Sequence, residues 1–114
     1  MATAAAHTQQ ANHNQLFLDS IDPAIFPDWI VTAAFYKAVH IVEALLVRKG
    51  RGTIAHHQWN GILKRMFATV WKEYRPLYNQ SRIARYWCIA IAQRDVSKAL
   101  GRLKAIEAAV AVVP

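Results

Sequence analysis

Arg51, His56 and His57 are the residues of this chain whose types and spacing suit acid–base chemistry. A histidine can pass a proton to or from a phosphodiester oxygen, while an arginine beside it stabilises the charge that builds on phosphorus. Alternatively, one histidine caps or packs and its neighbour is exposed. Adjacent residues on a helix point about 100° apart, so the two imidazoles cannot comfortably serve one ion. Cys88 is the only cysteine and no carboxylate lies near the pair in sequence, so no zinc set forms there, and no metal or cofactor is expected for the chain. No glycine-rich phosphate loop, nucleophile elbow or paired-carboxylate spacing offers another reaction.

A second group of residues suits binding. Arg75, Tyr78, Arg82, Arg85 and Tyr86 fall within about 100° of arc on a continuous helix. Arginine forks match phosphate or carboxylate oxygens in pairs, and tyrosine rings stack on bases. A third group, Thr32, Tyr36, His40 and Glu43, spans about 80° of an otherwise apolar helix. A buried carboxylate or imidazole needs partners. This polar stripe must therefore face a basic neighbouring helix, a second subunit or a substrate groove. Glu43 paired with Arg82 or Arg85 is the natural structural solution, and it would leave two arginines for a partner.

Charge is distributed unevenly. Residues 1–47 hold Lys37 against Asp19, Asp22, Asp28 and Glu43, a net of −3, while residues 48–114 hold thirteen Lys and Arg against Glu73, Asp95 and Glu107, a net of +10. A basic face attracts polyanions at long range, so nucleic acid, RNA before DNA, is the expected partner. A solvated surface that only aids solubility, an acidic protein or a membrane surface would account for the same charge, as would self-association through the acidic first part. The lone cysteine fits a reducing compartment, and the start MATAAAHTQQ lacks the basic-then-apolar pattern of a signal peptide, so a cytoplasmic protein is expected. Lys37, His40 and Glu43 interrupt the most apolar stretch, which argues for a buried helix and not a membrane span.

The elements that must position these groups are helical. Residues 1–7 read as a frayed start, and residues 8–114 as a single domain. A first helix is expected from about Thr8 to Asp19, ended by Asp22-Pro23. Pro27-Asp28 opens a second that runs to about Lys49, with Gly50 as its stop. Thr53 can cap a third reaching about Ala68. A fourth covers Val70 to Cys88, with Pro76 kinking it or marking its true start. A fifth runs from about Arg94 to Val112, where Val96, Leu100, Leu103, Ile106 and Val110 recur at helical spacing. No strand or repeat pattern is present, so the fold is all-α, a bundle of four to five helices.

The run from Asp28 to Leu46, DWIVTAAFYKAVHIVEALL, resembles the signature helix of HEPN domains. A glycine-containing turn, the His56-His57 start of the next helix, and Tyr74, Leu77-Tyr78, Ser81-Arg82 and Ala84-Arg85-Tyr86 continue the likeness over about residues 25–110. The resemblance implies an up-and-down bundle, commonly a homodimer. Many members are metal-independent ribonucleases in toxin–antitoxin, CRISPR or other phage-defence systems, and others are binding or assembly modules. The family's ribonuclease motif is an arginine, four to six intervening residues and a histidine on a late helix. Here the corresponding positions hold Trp87, Cys88 and Ile89 after Arg82, and Ala90, Ile91 and Ala92 after Arg85. Arg51 with His56 or His57 meets the spacing, but between the second and third helices. The expectation is therefore a non-catalytic nucleic-acid-binding or assembly module, with a metal-independent endoribonuclease using Arg51 and His56 or His57 as the alternative.

Overall fold

The structure, a computed structural model, describes residues 2–52 and 56–114, with the side chains of residues 56 and 57 outside the description. Five helices follow one another: α1 (Ala4–Ser20), α2 (Pro27–Arg48), α3 (His56–Met66), α4 (Ala68–Tyr86) and α5 (Gln93–Ala111). No strand occurs among the described residues, and the chain is an all-α bundle.

The polar cross-links set the directions. His7 meets His40 and Lys37 meets Gln15, so α1 and α2 form an antiparallel hairpin about the Pro23 turn. The Gln93 side chain donates to the Pro23 carbonyl at 2.7 Å, and Arg48 donates to the Val113 and Pro114 carbonyls at the other end. α5 therefore runs alongside α2 in the same direction. Gln80 donates to the Asp95 carbonyl and accepts from Arg102, which ties α4 to α5. α3 packs on α4.

α2 is central because it is apolar nearly all round. Ile30, Val31, Ala34, Phe35, Ala38, Val42, Leu45 and Leu46 are buried on it. It is long and apolar enough to cross a membrane by length and composition alone, and here it fills the bundle core. Leu63, Leu77 and Ile106 bring α3, α4 and α5 onto that core with no measurable exposure. Each such side chain contributes about 1.5–3 kcal/mol by leaving water.

Several boundaries differ from expectation. α1 begins at Ala4 and takes in residues assigned to a frayed start, because the Thr3 hydroxyl caps it by accepting from the Ala6 amide at 3.0 Å, and alanines follow. α3 and α4 meet at Phe67, whose extended φ of −133° separates them, so α3 ends before Ala68 and α4 starts there. Pro76 lies inside α4 and neither starts nor ends it. Gly50 holds φ at +75°, the left-handed stop expected after α2. Thr53, the proposed cap of α3, lies outside the described residues.

Candidate nucleic-acid interface

The arginine and tyrosine stripe of α4 is assembled as its spacing requires, since the helix runs unbroken through Pro76. The Arg75 guanidinium lies 5.4 Å from the Tyr78 ring centre and 5.9 Å from that of Trp71. Arg82 covers the same Tyr78 ring at 5.9 Å. Arg75 and Arg82 are exposed, Tyr78 is half-buried, and Tyr86 projects with 68% of its surface in solvent. Among the described residues, neither Arg75 nor Arg82 has a carboxylate within ion-pair distance. A guanidinium lying over a ring keeps its N–H edge available to an oxyanion.

Arg85 is used differently. It donates to the Ser81 carbonyl at 3.2 Å, to the Ser81 hydroxyl at 3.3 Å and to the Tyr36 hydroxyl at 3.3 Å. Its guanidinium also lies 5.5 Å from the Phe35 ring centre, 5.7 Å from Tyr36 and 5.0 Å from Tyr86. One arginine of the stripe is thus held by the fold, as expected, but by hydroxyls and rings in place of Glu43.

Glu43 is bound elsewhere. Its carboxylate meets His7 Nδ1 at 2.9 Å and His40 Nδ1 at 3.6 Å. The expected pair with Arg82 or Arg85 does not form. Arg85 meets α2 at Tyr36, two helical turns from Glu43, which is about 10 Å along the axis. The polar stripe of α2 therefore divides. Thr32 is buried and returns its hydroxyl to the Asp28 carbonyl at 2.8 Å. Tyr36 faces α4, while His40 and Glu43 face α1.

Between α2, α3 and α4 lies a groove of about 620 Å³. Arg82, Arg85, Tyr86 and Tyr36 line it, together with an aromatic floor, and no carboxylate is among its described lining residues. In the floor, Trp59 packs on Tyr74 at 5.6 Å, Tyr74 on Phe35 at 5.8 Å, and Phe35 edge-on to Tyr78 at 5.6 Å. Burial, with help from Tyr78 and Glu43 and against the pull of Arg85, pushes the Tyr74 phenol well above its ordinary value, so it stays neutral.

Arg51 is exposed and lines a separate cavity of about 150 Å³ with His7, Glu43 and Trp59. His56 and His57, its proposed catalytic companions, have side chains outside the described residues. Sequence reasoning missed His7 and the aromatic floor. His7 and His40 lie almost equally far from Pro23, so an antiparallel hairpin about that turn was the available signal. No protein-family model, no curated protein and no solved structure matches the chain.

Proposed function

We propose that this chain is a HEPN-like nucleic-acid-binding module that takes single-stranded RNA along the α4 face, as a homodimer or as a small subunit of a prokaryotic defence or toxin–antitoxin assembly. The observation that carries this reading is the ladder of Arg75, Tyr78 and Arg82 beside a basic, carboxylate-free, aromatic groove. The arginines supply phosphate contacts, and the exposed rings of Tyr86 and Tyr36 supply stacking surfaces that unpaired bases can reach and duplex bases cannot. The net of +10 over residues 48–114 draws a polyanion toward this side of the sequence.

Fluorescence anisotropy with a labelled single-stranded RNA and a DNA duplex of equal length, across a salt series, tests the proposal. RNA binding should weaken steeply with salt. Arg75→Ala with Arg82→Ala should weaken it at least about tenfold and flatten the log–log salt slope by about 1.4, the share of two phosphate contacts on a single strand. Binding that ignores salt, or that the double variant leaves intact, would falsify it.

A further inference from the structure

His7, His40 and Glu43 bring three ligand atoms to one point. His7 Nδ1 is 2.9 Å from Glu43 Oε2 and 3.0 Å from His40 Nδ1, and the third side, His40 Nδ1 to Glu43 Oε2, is 3.6 Å. His40 and Glu43 are separated by one helical turn on α2, and α1 supplies His7 from across the hairpin. The two imidazoles are inclined by only 30°, with ring centres 5.3 Å apart. All three side chains are largely withdrawn from solvent, with 15%, 27% and 17% exposure for His7, His40 and Glu43.

Protons satisfy this triangle poorly. Each Nδ1 carries one hydrogen at most, and a carboxylate carries none. If His7 Nδ1 donates to Glu43, then His40 Nδ1 must be the bare acceptor of a shared hydrogen or turn a second hydrogen toward the first. If His40 donates to His7, a bare nitrogen faces the carboxylate. A cation satisfies all three atoms at once. Bonds of about 2.0–2.1 Å to nitrogen and oxygen place an ion roughly 0.9 Å off the plane of a triangle with these sides.

We infer that His7, His40 and Glu43 form a binding site for a divalent transition ion of the zinc type. Two imidazoles and one carboxylate are a borderline ligand set; calcium and magnesium prefer oxygen alone. The described residues supply three ligands, and a four-coordinate ion takes one more. His7 and Glu43 line the cavity of about 150 Å³ that Arg51 and Trp59 share, which is larger than the roughly 30 Å³ of one water molecule. The Arg51 guanidinium beside that cavity favours an anionic occupant. The site stands independently of the nucleic-acid reading.

Calorimetric titration of the full chain, first stripped with a chelator, with zinc chloride tests this. One ion should bind per chain, and His7→Ala, His40→Ala and Glu43→Gln should each weaken binding at least about tenfold, while His13→Ala, on the exposed side of α1, should not. Circular dichroism separates ligand loss from unfolding. If a variant is unfolded, wild-type chain loaded with cobalt(II) replaces it: intense visible bands of a four-coordinate ion support the site, and their absence overturns it. No saturable zinc binding, or binding that survives in folded His7→Ala and Glu43→Gln, also overturns it, as does equal affinity for magnesium.

Discussion

The Arg85 guanidinium donates to the Tyr36 hydroxyl at 3.3 Å, and this contact joins the polar stripe of α2 to the cationic stripe of α4. The same guanidinium is anchored to Ser81, a fully buried serine, and covers three aromatic rings. Arg85 thus positions the wall of the groove, whereas Arg75 and Arg82 present themselves outward.

Arg85→Lys should destabilise the bundle by about 1–2 kcal/mol, because an ammonium cannot cover the rings and reach Ser81 and Tyr36 together. Arg82→Lys, at an exposed position, should change stability by less than about 0.5 kcal/mol. Urea denaturation of the two variants checks the contrast. Equal, small losses would place Arg85 among the surface residues.

Cys88 follows the last turn of α4 with φ at +52°, a left-handed conformation that strains a residue bearing a Cβ. Cys88→Gly should therefore stabilise by up to about 1 kcal/mol, the relief of strain being partly offset by the freedom glycine gains when unfolded. Cys88→Val should destabilise. Thermal melts of both variants read the sign of each change.

Tyr74 predicts an alkaline limit. Its phenol is raised in the folded chain and ordinary, near 10.0, in the unfolded one. A raised value means that unfolding releases a proton at high pH, so the contribution is complete below about pH 10 and is lost as pH rises above it. Stability from urea denaturation should fall more steeply above that pH in the wild type than in Tyr74→Phe. Parallel curves would show that Tyr74 does not set the limit.

Local signals carried much of this architecture. Pro27-Asp28 and Gly50 mark both ends of α2 because proline suits the first helical turn and glycine the left-handed exit. The α4 stripe follows from helical spacing because α4 runs continuously through Pro76. What spacing cannot reveal is which stripe meets which. Glu43 has several basic residues to choose from, and the α1–α2 hairpin places His7 beside it while Arg85 meets α2 two turns away at Tyr36. His7 sits among alanines and glutamines with no apolar rhythm, so nothing local distinguishes it. The floor of Phe35, Trp59 and Tyr74 likewise joins three helices through contacts distant in sequence.

α1 fully buries only Ala11 and Leu18. Much of its hold on α2 is polar, through His7 at one end and Gln15 with Lys37 further along. A helix attached in this way opens at lower cost than the bundle as a whole. Any occupant that ties His7 to His40 and Glu43 adds its binding energy to that attachment as well as to the stability of the whole fold. With the triad filled, the N-terminal helix would work as a latch, its closure over α2 and the filling of the triad being a single equilibrium.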